Sequence, residues 1–194
     1  MTPLAPVASP GLAALRAAAA AAGLTVSSSA SWPETESGGG PAALPGFVDS
    51  NFSPLLAGVA ERVLAGRVLA GQAPASRVTA IVMVTALGDI TSATRVATAV
   101  DAGQRVSPLQ FLQSVPNAVA GYLAARWHLT GPVVCVSGTS AGLDVAAVLI
   151  EDADADEALV VRVDLAVTED DQDRAAAVIV TRPPGRPQPR APRA

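Results

Sequence analysis

The stretch that decides the fold runs from Phe111 to Val163 and reads FLQSVPNAVAGYLAARWHLTGPVVCVSGTSAGLDVAAVLIEDADADEALVVRV. Gln113 to Trp127 has helical spacing, with Pro116 near its start, and Gly131-Pro132 breaks it. Val133 to Val136 reads as a short buried strand, Ser140 to Ile150 as a helix, and Ala158 to Val167 as another strand. The segment Gly138-Thr139-Ser140-Ala141-Gly142 therefore places a serine on a strand-to-helix turn. Backbone N–H groups converge at such a turn and the helix dipole favours negative charge there, so a nucleophile and an oxyanion site can share it.

Working outward, the same alternation extends over most of the chain. Pro10 to Ala22 is alanine-rich, the strongest helix former, and Gly23 supplies a stop. Leu24 to Ser29 reads as a strand, and Glu34 to Pro41, with three consecutive glycines, as a loop. Asp49-Ser50-Asn51 offers caps ahead of Pro54, after which Leu55, Leu56, Val59, Val63 and Leu64 recur at helical spacing through Leu69. Arg77 to Thr85 is an apolar strand, Gly88-Asp89 a turn, Thr91 to Asp101 a helix and Val106 to Leu109 a loop. Ala175 to Thr181 is a final, antiparallel strand. The tail RPPGRPQPRAPRA from Arg182 has nothing to anchor in a core and reads as disordered. The expected architecture is a layered α/β domain on a mainly parallel, mixed sheet. Its divisions fall at 1–46 (helix, strand and glycine-rich loop), 47–181 (the α/β domain) and 182–194 (tail).

Half of the 194 residues are apolar, enough for one sizeable core, and aromatics are only 3%, so that core is built from Ala, Val and Leu. The net charge of −4 recommends no nucleic-acid partner. No apolar run is long enough to span a bilayer, and the N-terminus lacks the basic region of a signal peptide. The single cysteine, Cys135, allows no internal disulfide and no cysteine metal site, which fits a reducing cytoplasm. The acidic run Glu151, Asp152, Asp154, Asp156, Glu157 lacks the glycine and glutamate register of a calcium loop and reads as a solvated turn. No metal or cofactor is expected.

Gly-x-Ser-x-Gly in a strand–turn–helix context is the nucleophile elbow of serine hydrolases. Such an enzyme needs a histidine downstream of its serine, and the sole histidine, His128, lies upstream. A hydroxyl without a base is a poor nucleophile. Other roles compete at each position: helix N-cap for Ser140, small strand residue for Cys135, helix C-cap for His128.

The neighbours of the serine carry a second reading. Gly131-Pro132-Val133-Val134-Cys135-Val136 leads to Ser140, then Leu143, Ala146-Ala147, Asp154-Ala155-Asp156 and Ala158-Leu159-Val160. This order resembles the N-terminal half of a β-ketoacyl synthase, a thiolase-type fold. Ser114-Val115-Pro116-Asn117 with Ala120-Gly121-Tyr122-Leu123-Ala124 resembles the helix that precedes Gly-Pro in that family. Pro45-Gly46-Phe47-Val48-Asp49-Ser50 and Gly88-Asp89 are similar to the small stand-alone ketosynthase-like group found beside polyketide synthase genes. The resemblance covers roughly Phe47 to Val167.

The resemblance implies work in polyketide or fatty-acid chain elongation. It also implies that Ser140 holds the position of the nucleophilic cysteine, and that the catalytic histidines and lysine belong to a C-terminal half not found here. A serine hydroxyl stays protonated where a helix-terminal thiol is partly thiolate. The expectation is thus a catalytically incompetent accessory subunit; the alternative is a serine-dependent acyltransferase or hydrolase using Ser140. In ketosynthases the strand equivalent to Val133–Ser137 borders the dimer interface. The implied partners are a ketosynthase or chain-length-factor-like subunit, or a second copy, with an acyl carrier protein a further candidate for the Arg-rich tail. Val133, Val134, Cys135, Val136, Leu143 and Val145 are the expected interface. The helix after Ser140 is apolar nearly all round, with Asp144 its one charge, so one face is left bare unless another chain, the Pro10–Ala22 helix or the tail covers it.

Overall fold

In the computed structural model the strand–helix alternation produces ten elements among the described residues. They are α1 (Pro10–Ala21), β1 (Thr25–Trp32), α2 (Phe52–Leu69), β2 (Thr79–Val84), α3 (Ile90–Asp101), α4 (Pro116–Trp127), β3 (Val133–Val136), α5 (Thr139–Glu151), β4 (Glu157–Asp164) and β5 (Arg174–Thr181). The structure describes residues 9–33, 40–47, 50–69, 77–108, 111, 115–168 and 170–185. The glycines Gly38 and Gly39, the cap candidate Asp49, Leu109, the helix-start residues Gln113 and Ser114, and the tail from residue 186 lie outside them.

The strands form one sheet in the order β1-β5-β4-β2-β3. β4, β2 and β3 are parallel neighbours, while β5 is antiparallel to both β4 and β1. Four of the five strands therefore run one way, as the α/β alternation implied.

Helices cover both faces, and each strand splits its side chains between them. Ile81, Met83, Leu159, Val161, Ala177 and Ile179 point to the face of α2 and α4. Ala80, Val82, Ala158, Val160, Val178 and Val180 point to the face of α1 and α5. β2, an interior strand covered on both faces, is buried at every position. α1 starts at Ser9, whose Oγ accepts from Leu12 N at 3.3 Å, with Pro10 in the first turn. It buries Leu12, Leu15 and Ala19 and ends at Gly23, φ 70°. α2 buries ten residues from Phe52 to Leu64, because β1, β4, β5 and α4 all pack on it.

Two expectations are corrected and one left open is settled. Glu157 is not part of a solvated turn: it opens β4 and is fully buried. Its carboxylate accepts from Thr79 Oγ1 at 2.7 Å and pairs with Arg77 at 3.2 Å and with Arg67. A carboxylate enters a core only with such partners. β4 stops at Asp164 rather than Val167, because the backbone N–H of Ala166 bonds Asp173 Oδ1 at 2.9 Å in the turn to β5. The helix α5 is not bare along one apolar side, since α1 packs on it. Its exposed stripe is Ser140, Ala141, Asp144, Val148 and Glu151, which is mixed rather than apolar.

Candidate functional site

The turn between β3 and α5 is built by two glycines. Gly138 sits at φ 94°, ψ 132°, a backbone region that side chains avoid, and it is the N-cap of α5. Gly142 lets the helix lie directly on the sheet: a β-carbon there would come within 2.4 Å of Val84 Cγ2. The N-cap role anticipated for Ser140 is thereby corrected. Ser140 is the second residue of the helix, exposed to solvent, and Gly138 caps without a side-chain hydrogen bond. Among the described residues no group is hydrogen-bonded to the Ser140 hydroxyl.

Beneath the turn stands Arg162 of β4, a residue whose role the sequence reading missed. Its Nη1 donates to Thr139 Oγ1 at 3.1 Å and its Nε to Asp164 Oδ2 at 2.6 Å. A cation at the positive end of a helix is electrostatically unfavourable on its own, and the Asp164 carboxylate offsets it. The signal in the sequence was a lone arginine within the apolar run Ala158–Val163.

The chain's one histidine is nowhere near the serine. His128 is the C-cap of α4 in the left-handed conformation, φ 54° and ψ 42°, at the foot of β3. Ser140 stands beyond the head of the same strand, whose four residues alone span about 13 Å. No serine–histidine pair forms. Among the described residues, no group of three or more His, Cys, Asp or Glu side chains is placed to hold a metal ion.

Among the described residues β3 is the last strand of the sheet and pairs only with β2, so they leave its outer N–H and C=O row unpaired. Exposure alternates along it: Val133 and Cys135 are exposed, Val134 and Val136 half-buried. Of the expected interface residues, Leu143 is corrected: it is fully buried inside the chain on the α1 side. Val145 and Val136 are partly buried against the same cluster. The edge itself, Val133 to Val136, is what remains available.

Burial of its surroundings pushes the Cys135 thiol up from its ordinary value. Less thiolate is then present at neutral pH, so iodoacetamide should alkylate folded Cys135 more slowly than the urea-unfolded chain. The two rates should converge only in alkaline buffer; intact-mass time courses at several pH values measure them. A folded rate at pH 7 equal to or above the unfolded one contradicts the assignment.

The layered α/β sheet, with its strand–turn–helix at one edge, matches the thiolase-like fold of ketosynthases. Among solved structures, the ketosynthase ApeO in complex with its chain length factor ApeC, from Xenorhabdus doucetiae, matches with a TM-score of 0.62 and 18% identity. That match covers 84% of this chain and 80% of the matched chain, so the two chains are of similar length. The ishigamide ketosynthase/chain length factor matches with a TM-score of 0.59 and 18% identity, over 77% of this chain and 48% of that one. At these identities the likeness is one of fold. No curated protein matches the chain. The model of the β-ketoacyl synthase N-terminal domain matches residues 65–181, more than half of the sequence. The chain belongs to the β-ketoacyl synthase N-terminal domain family. No described helix is long and apolar enough to cross a membrane.

Proposed function

We propose that this chain is a non-condensing, ketosynthase-like subunit of polyketide or fatty-acid elongation, and that it works by pairing with a full ketosynthase in the manner of a chain length factor. The observation that carries the proposal is the β3 edge, unpaired among the described residues, beside the turn that holds Ser140; the resemblance to ketosynthases would put that serine where their cysteine stands. Decarboxylative condensation needs a thiolate and groups that stabilise an enolate oxygen. These 194 residues offer one cysteine, inside β3, one histidine at the far end of that strand, and no lysine. An exposed strand edge is a template for another chain. A chain of similar length occurs among the matches to a ketosynthase–chain length factor complex, which supports the same partner here.

The test is co-expression of the tagged chain with each ketosynthase of the same genome, followed by size-exclusion chromatography with light scattering. The expected product is a 1:1 complex, with malonyl condensation lost when the ketosynthase cysteine is removed and retained in Ser140→Ala of this chain. A chain that remains a monomer beside every ketosynthase overturns the proposal.

A serine-dependent acyl transfer by Ser140 is the second reading, favoured by its exposure on the first turn of α5. With no base in reach, the expected result is no mass adduct after prolonged incubation with acetyl or malonyl thioester. An adduct lost in Ser140→Ala reverses this conclusion.

A further inference from the structure

Strand β1 carries a hazard that its own residues do nothing to contain. It is eight residues long, about 26 Å, and among the described residues it pairs only with β5. None of its residues is buried, and a cleft of about 370 Å³ lies between Arg16 and Ala20 of α1 and residues 26–29 of β1. Thr25–Trp32 reads TVSSSASW, with no charge and no proline. An uncharged edge strand of this length is a template on which a second copy of itself can pair.

One obstacle to such pairing is a bulge. The ladder to β5 slips between Val26 and Ser28, which leaves Ser27 as the extra residue. Its effect shows in the side chains. Residues two apart on a regular strand share a face. Here Val26 packs against the cluster of Leu12, Leu15 and Ala19 on the α1 side, while Ser28 turns to α2, its Oγ donating to Val63 O at 3.4 Å. Ser27 Oγ donates to Ile179 O of β5 at 3.3 Å and holds the bulge in place. A bulged strand bends and twists more sharply, so a regular neighbour cannot follow it.

The other obstacle is a guanidinium group on each face. On the α2 side, Arg62 Nε donates to Gly58 O at 3.3 Å and its Nη2 to Ser31 O at 2.8 Å. The ladder to β5 fills the inner side of β1, so a side chain reaches a β1 carbonyl from the outer side, where an incoming strand needs that acceptor. On the α1 side, Arg16 Nη2 donates to Ser29 Oγ at 2.7 Å. Residues 1–33 hold no acidic residue, and Arg16 is their one charge. Glu61, the acid next to Arg62 on α2, is turned to Tyr122 and Arg126 of α4. Two copies pairing β1 to β1 about a twofold axis would set these cations against their own images, with no carboxylate on α1 or β1 to answer them.

We propose that the Ser27 bulge, with Arg16 and Arg62, forms a guard that closes the β1 edge to a second copy of this chain, so that the sheet does not grow on that side. The guard is independent of the partner reading above. The test compares the full chain with two variants: Arg16→Ala with Arg62→Ala, and the same two substitutions with Ser27 deleted. Deletion restores regular alternation between Val26 and Ser28, so the sheet accommodates it. Hydrogen exchange over residues 25–32 and light-scattering mass are followed as concentration rises. In the unaltered chain, exchange at 25–32 should not depend on concentration. In the variants it should slow at least ~10-fold toward high concentration while the mass climbs, with far-UV circular dichroism of the dilute protein unchanged. If the deletion does not fold, the double substitution, whose strand is intact, gives the reading. A folded variant whose mass and β1 exchange match the unaltered chain at every concentration overturns the guard. Mass that climbs without slower exchange at 25–32 assigns the association to another surface and overturns it as well. So does an unaltered chain whose β1 amides become protected as it is concentrated, since that edge then pairs as it stands.

Discussion

Glu157→Ala will destabilise the fold by about 3–5 kcal/mol, the cost of leaving buried charge without its counter-ion. The carboxylate is fully buried, bonded by Thr79 Oγ1 at 2.7 Å and paired with Arg67 and Arg77. Only 12% of the Arg67 side chain is exposed, so water cannot replace the lost anion. Burial, and then repulsion from Arg77, already push the Arg67 guanidinium below its ordinary value. Without Glu157 both effects go uncompensated. Domains of this kind are stable by roughly 5–15 kcal/mol in total, so the loss will be plain in a urea titration as a lower midpoint. Replacing Arg67 and Glu157 together by apolar residues of similar volume should cost much less than the single change. Equal losses in the two variants would mean that shape, not charge, fixes this site.

Gly131→Ala is the second large effect. A β-carbon on Gly131 would sit 2.5 Å from Thr79 O and 2.6 Å from Ala80 N. These are backbone atoms at the start of the interior strand β2, and they cannot swing aside as a side chain would. The Gly131 N–H also donates to Thr79 O at 3.2 Å, so the two segments are held at this spacing. Overpacking of that kind costs about 1–3 kcal/mol. Gly121→Ala is the control: a β-carbon there meets nothing within 4 Å on the exposed side of α4. It should stabilise the helix by up to ~1 kcal/mol. Thermal melts of both variants give opposite signs if the glycine of the Gly-Pro pair is there for space.

The elements themselves were legible because their apolar periods are clean: Val133–Val136 at the edge, the buried run of β2, the helix after Ser140. Their partners were less so. Periodicity shows that the helix after Ser140 is apolar nearly all round. It does not show that the Leu12, Leu15 and Ala19 stripe of α1, more than a hundred residues earlier, lies across it. Among five clustered acidic residues, nothing local marks Glu157 as the one that turns inward. Thr79, Arg67 and Arg77 decide that, and they come from β2, from α2 and from the residues just before β2. Residue preference offered Ser140 as the helix cap. A glycine at positive φ took the role, because the chain must reverse sharply between β3 and α5.

The outermost strand β1 shelters the flank of β5, pairing Thr25 with Thr181 and Trp32 with Ala175. These partners lie about as far apart along the polypeptide as the described residues allow, so loop-closure entropy weighs on this ladder more than on any other. During synthesis β1 emerges early and waits, unpaired, until β5 has been made. A nascent chain stalled before residue 174 would carry an orphan strand and half a hydrophobic layer, the kind of species on which holding chaperones act.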